Sequence, residues 1–130
     1  MNLEQAIHER WAADAALAAL VPAARVTTGR SLRTARPYVT ILPERAQTSV
    51  RSNAGETIEE ITLRMNVWHD DYGAARAVVE RIRAVFNGVG FALSGARRVL
   101  HMRRLSESAL QHADGVWQLS VRFVALVLRS

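Results

Sequence analysis

The sequence predicts an α+β domain: two helices packed on one side of a mainly antiparallel β-sheet, in the order αβββα followed by two or three β-strands. Three observations carry this. An apolar pattern of helical period opens the chain. A clean two-residue alternation runs from Ile58 to Trp68 and gives way at Asp70 to a second helical pattern. Everything after Gly88 reads as strands. No βαβ rhythm and no internal repeat interrupts the order, and 130 residues suit one domain, residues 1–130, with a core of its own.

The first helix is expected over Asn2–Leu20, with Leu3, Ile7, Trp11, Leu17 and Leu20 apolar, Ala between them, Asn2 as N-cap and Pro22 beyond the end. Residues Arg25 to Arg30 read as a short edge strand. Ser31 to Pro37, carrying Arg33 and Arg36, reads as a basic exposed loop, extended before its proline. Tyr38 to Leu42 is rich in β-formers and is expected to stop at Pro43. The polar stretch Glu44 to Gly55 then reads as a long projecting loop, well beyond a tight hairpin turn. In the next strand Ile61, Leu63, Met65 and Val67 share one face, opposite Glu60, Thr62, Arg64 and Asn66. The second helix places Ala74, Ala77, Val78, Ile82, Val85 and Phe86 on one side, Arg76, Glu80, Arg81 and Arg83 on the other, and ends at Asn87-Gly88. Short strands at Gly90–Leu93 and Arg97–Ser106, a turn at His112–Gly115 and a strand from Val116 to Leu128 complete the chain. The last strand is apolar on both faces from Val124 onward, which calls for a second cover: the N-terminal helix or another subunit.

The chain has no Cys, which excludes disulfides, thiolate metal sites and a cysteine nucleophile. Its start lacks the pattern of a signal peptide and no apolar run is long enough to span a bilayer, so no membrane is expected. All 17 basic residues are Arg and the net charge is +5, a balance that permits polyanion contact without indicating it.

The cluster Trp68-His69-Asp70-Asp71-Tyr72 has the composition of an active site. Adjacent strand residues point to alternate sides, however, so the carboxylates do not converge, and His8, His101 and His112 lie in separate elements without ligand spacing. Asp70 or Asp71 is better read as the cap of the following helix. No serine sits in a nucleophile elbow, and Gly88-Val89-Gly90 lacks the rest of a phosphate-binding loop. Catalytic residues, metal, cofactor and small-molecule substrate are therefore expected to be absent. The doublets Arg97-Arg98 and Arg103-Arg104, with Arg33, Arg36, Arg45 and Arg51, fit ordinary ion pairing. They also fit contact with nucleic acid or with acidic patches on neighbouring subunits, though no aromatic residue interleaves with them as a base-stacking platform would.

Four segments together resemble the tail-terminator or tail-completion family of long-tailed phages and gene-transfer particles. They are Ala12 to Val21 (AADAALAALV), Arg36 to Thr40 (RPYVT), Met65 to Arg76 (MNVWHDDYGAAR) and Val116 to Phe123 (VWQLSVRF), in that order. The resemblance implies a structural protein: a subunit of a hexameric ring that caps the tail tube at the head-proximal end of the virion tail, ends tube polymerisation and joins the tail to the head connector. The partners implied are other copies of the chain, the tail-tube protein and the head–tail connector protein, with DNA only passing through the lumen and assembly in the bacterial host cytoplasm. On that reading Arg45 and Arg51 are candidates for tube, lumen or connector contact, and Leu126, Val127 and Leu128 for the subunit interface. A connector-side head–tail joining adaptor, or a small nucleic-acid-binding accessory domain, are the alternatives.

Overall fold

The structure, a computed structural model, describes residues 3–29, 35–51, 55–93 and 97–129. It is a mixed α+β fold with three helices and a six-stranded sheet. The elements are α1 (Leu3–Ala13), α2 (Ala15–Leu20), β1 (Val26–Thr28), β2 (Tyr38–Arg51), β3 (Thr57–His69), α3 (Tyr72–Phe86), β4 (Val89–Ala92), β5 (Arg98–Gln111) and β6 (Trp117–Arg129). A single 3-10 turn at Ala23–Arg25 leads into β1.

The expected first helix is two helices. Asp14 has extended backbone angles (φ −90°, ψ 110°), and its side chain accepts a hydrogen bond from the Leu17 N–H, so α2 starts with an N-cap of its own. The physical reason is readable in retrospect. An aspartate inside an alanine run competes for the backbone as a cap does, and the break lets Asp14 receive the Arg81 guanidinium from α3, Nε at 3.1 Å and Nη2 at 2.7 Å. The proposed cap Asn2 lies outside the described residues. On α1, Leu3, Ala6, Ile7 and Trp11 are buried, and the Trp11 indole N–H donates to the Val21 carbonyl at 2.8 Å. Leu20, expected inside, is 37% exposed, and Val21 takes the core position.

The sheet order is β1-β2-β3-β6-β5-β4. Every neighbouring pair is antiparallel except β1 and β2, which run parallel. Leu63, Met65 and Val67 of β3 and Leu119, Val121, Phe123, Ala125 and Val127 of β6 form the inner face. They share one core with Ala75, Val78, Val79, Ile82 and Phe86 of α3 and with the buried side of α1. The α3 face is thus turned slightly from the expected one, with Ala77 exposed and Ala75 and Val79 enclosed.

The projecting loop expected at Glu44–Gly55 is corrected: residues 44–51 continue β2, paired with β3 as far as Arg51↔Thr57, and residues 52–54 lie outside the described ones. Pro43 does not stop the strand, because β1 ends at Thr28 opposite Ile41. Beyond that point β2 has no neighbour on its outer side among the described residues, and a missing N–H there costs nothing. The basic loop with Arg33 falls mostly on residues 30–34, outside the described ones. The turn at His112–Gly115 is as expected, with Gly115 at φ 89° and its N–H bonded to the His112 carbonyl.

Candidate assembly surfaces

The Trp68–Tyr72 cluster is a corner in which each polar group has a structural task. The Asp71 carboxylate accepts from the Ala74 N–H at 2.7 Å and caps α3, while the Asp71 N–H donates to His69 Nδ1 at 3.1 Å. Asp70 receives Arg36 Nε at 2.6 Å, a contact that holds the guanidinium above its ordinary pKa. Trp68 is stacked between Tyr38, 5.9 Å centroid to centroid, and His112, 5.3 Å, and Tyr72 packs against Trp117 at 4.8 Å. A shallow cleft lined by Arg36, Tyr38, Trp68, His112, Asp114 and Val116 opens beside these rings. Among the described residues no group of three His, Asp or Glu side chains gathers to hold a metal, and no helix is long and apolar enough to cross a membrane.

The five sequence-nominated residues are not brought together. Arg45 pairs in register with Thr62 and so shares the face turned away from the helices. Arg51 pairs with Thr57 and lies on the helix-side face, because the ladder shifts between Thr48 and Val50 and reverses the parity. Val127 is fully buried in the chain's own core, so its side chain cannot meet a neighbour, which removes it from the nominated interface. Leu126 and Leu128 lie half-buried on the helix-free face, opposite His101 and Arg98 of β5. All three belong to β6, an interior strand flanked by β3 and β5.

Sequence reasoning missed two surfaces. The first is a pair of open edges. Beyond Ile41 nothing among the described residues pairs with the outer side of β2. On the opposite flank β4 covers β5 only as far as Met102, and the Asn87 side chain accepts from the Arg104 N–H, so Leu105 to Gln111 are open. The β2 edge was hidden by reading Pro43 as a stop.

The second surface is the helix-free face itself. It is predominantly polar, with Thr40, Gln47, Thr62, Asn66, Gln118, Ser120, Ser106 and Ser108 in register across the four long strands. Asn66 Oδ1 accepts from Ser120 Oγ at 2.6 Å and from Gln118 Nε2 at 3.2 Å, and Gln118 Oε1 meets His112 Nε2 at 2.9 Å, so the amide and hydroxyl groups at this end of the face are bonded, while Arg64 Nε is enclosed without a partner. The same face carries Arg45, Arg64, Arg98, Arg103 and Arg122 against Glu44 and Glu60, an excess of three positive charges. Glu44, aimed across the sheet by the irregularity between Pro43 and Arg45, lies 3.0 Å from Arg122 and 3.5 Å from Arg64. Arg98 and Arg103 are exposed and make no ion pair among the described residues, and Arg45 reaches only the Gln47 amide oxygen, at 2.6 Å.

Comparison with known proteins matches this architecture. Among solved structures, a chain from the virion of a native gene transfer agent particle superposes with a TM-score of 0.78 at 20% identity, covering 98% of this chain and 95% of that one. At that identity the likeness is one of fold. No characterised protein matches by sequence. Residues 5–128 match the family described as tail completion protein gp17. With nearly the whole length covered, the chain belongs to the tail completion protein gp17 family and is a structural protein of the phage-tail type.

Proposed function

We propose that the protein is the ring subunit at the head-proximal end of a tail: six copies cap the tail tube, end its polymerisation and join the tail to the head connector. The observation that carries this is the pair of open edges. In the order β2-β3-β6-β5 each strand is antiparallel to the next, so β2 and β5 run in opposite directions on opposite flanks. The β5 edge of one copy can therefore receive the β2 edge of the next as an antiparallel partner once the copies are displaced along the strands, because the open parts of β2 and β5 lie at opposite ends of the sheet. Every such step has the same polarity, a head-to-tail contact that closes into a ring when the rotation per step allows. Open strands also explain why a chain with a complete core would associate, since unpaired backbone groups are a template for another strand. Leu126 and Leu128 face His101 and Arg98, beside the part of β5 that β4 covers and away from the open segment 105–111.

The test is mass by light scattering after size separation, across concentrations, with and without tail-tube subunits, alongside amide hydrogen exchange. The expected result is a hexamer, alone or on tubes whose growth it arrests, with new protection at residues 44–48 and 105–111. A monomer indifferent to tubes at every concentration, or a ring in which those amides still exchange freely, would overturn the reading.

A further inference from the structure

We infer that the helix-free face of the sheet is a contact surface for the phosphate backbone of duplex DNA; its place in the channel rests on the ring reading above. Ion pairing is divided unequally between the two sides of the sheet. Every arginine of α3 is ion-paired: Arg76 with Glu80, Arg81 with Asp14 and Arg83 with Glu107. On the helix-side face of the sheet, Arg104 meets Glu107 and Arg129 meets Glu59, and Arg51 alone has no carboxylate among the described residues. On the helix-free face, Arg64 and Arg122 share the single carboxylate of Glu44, while Arg45, Arg98 and Arg103 are left with no carboxylate among the described residues. Arg98 and Arg103 flank the exposed His101 on β5 and stand in register with Leu128 and Val124, fixed to a rigid strand.

The composition identifies the partner. A dry protein interface needs a largely apolar centre, whereas the centre of this face is hydroxyl, amide and guanidinium. These are the groups that contact phosphate and sugar in protein–DNA complexes. Trp68 is stacked against Tyr38 and His112 at one end of the sheet, away from Arg98 and Arg103. No ring stands among those arginines to stack a base, so a duplex read only through its backbone fits them. In a ring closed through β2 and β5, the helical layer needs the larger circumference and lies outside, so this face lines the channel through which DNA must pass. Six copies repeat the cationic set around it, which makes the channel grip the duplex electrostatically instead of merely admitting it.

The experiment measures binding of a short random-sequence duplex by fluorescence anisotropy over a salt series, with light scattering on the same samples. Each lost phosphate contact lowers the slope of log affinity against log salt by about 0.9. The triple variant Arg45→Ala/Arg98→Ala/Arg103→Ala, which removes exposed residues without carboxylate partners, is expected to reduce the slope by about 2.7 for each copy that touches the duplex. The affinity lost between 50 and 200 mM salt then shrinks roughly 40-fold per touching copy. Arg76→Ala, on α3 and so on the helix side of the sheet, is expected to leave the slope unchanged. A ring that forms but does not bind the duplex, or binds with a slope indifferent to the triple variant, overturns the inference and leaves the ring reading standing. A protein that never assembles, yet binds with a slope that depends on those three arginines, retains the contact surface and overturns its placement in a channel. A slope lowered equally by Arg76→Ala overturns the assignment to this face.

Discussion

Replacing Trp11 by phenylalanine removes a buried hydrogen bond that ties α1 to the far end of α2. The Trp11 indole N–H donates to the Val21 carbonyl at 2.8 Å, and both side chains are fully enclosed. Val21 is also the C-cap of α2, its N–H held by the Leu17 carbonyl, so the indole fixes the point from which the chain turns toward β1. A buried acceptor left without a donor costs about 1–3 kcal/mol. The smaller ring leaves roughly 40 Å³ unfilled, which adds about 1 kcal/mol at about 24 cal/mol per Å³. The sum is about 2–4 kcal/mol, and with a urea slope of about 2 kcal/mol per molar the unfolding midpoint falls by about 1–2 M. Circular dichroism followed through urea titrations of both proteins reads this directly, with the slope expected unchanged. A midpoint shift below about 0.3 M would refute the reasoning, since it would mean that the carbonyl finds water or another donor and that α1 is not locked to α2 through this bond.

Two further substitutions probe the scaffold. Hydrogen bonding from Arg81 first, and from the Leu17 N–H second, lowers the Asp14 carboxyl from 3.8 to about 2. The folded value lies below the unfolded one, so the stabilisation is complete above about pH 4 and is lost as pH falls toward 2. Asp14→Asn keeps an N-cap acceptor without the charge, and its acid-unfolding curve is expected to be flatter over that window; superimposable curves would contradict the account. At Gly90 an added Cβ would meet the Leu100 carbonyl oxygen at 2.7 Å and the Val99 carbonyl oxygen at 2.9 Å, both backbone atoms. Gly90→Ala is therefore expected to cost about 1–3 kcal/mol in urea unfolding, and a neutral result would show that β4 stands further from β5 than described.

What was legible in the sequence is what depends on periodicity over many residues. β3 alternates over a dozen positions and α3 repeats over four turns, and both appear close to where they were expected. The corner between them was readable because Asp71 is a cap residue placed where one period ends and the other begins. The misreadings fall where one residue's meaning depends on neighbours that the sequence does not show. Pro43 breaks a central strand but is harmless in an edge strand, and β2 changes from one to the other at Ile41 only because β1 is three residues long. Asp14 reads as a tolerated helix residue until Arg81, 67 positions away, is known to face it. The β2 edge disappeared with the Pro43 error, and the β5 edge followed only once the sheet order was known.

The arginines show why a basic motif is a poor unit of function on a sheet. Arg103 and Arg104 are adjacent and read as one doublet, yet the pleat sends them to opposite sides. Arg104 pairs in register with Phe123 on the helix side, where it meets Glu107, while Arg103 pairs with Val124 on the helix-free face and has no carboxylate among the described residues. Arg45 and Arg51, six residues apart, should by the same alternation share a face, and the irregularity between Thr48 and Val50 separates them. A bulge therefore does more than bend a strand: it decides which surface receives each charge beyond it. Exchanging Arg51 with Thr62 (Arg51→Thr/Thr62→Arg) would carry one arginine from the helix-side face to the side of Arg45 and leave the composition of basic residues untouched. If the helix-free face grips DNA through charge, that exchange should steepen the salt dependence of duplex binding by about one phosphate contact for each copy that touches the duplex. An unchanged slope in a variant that folds and assembles normally would show that position on this face is not what makes an arginine count.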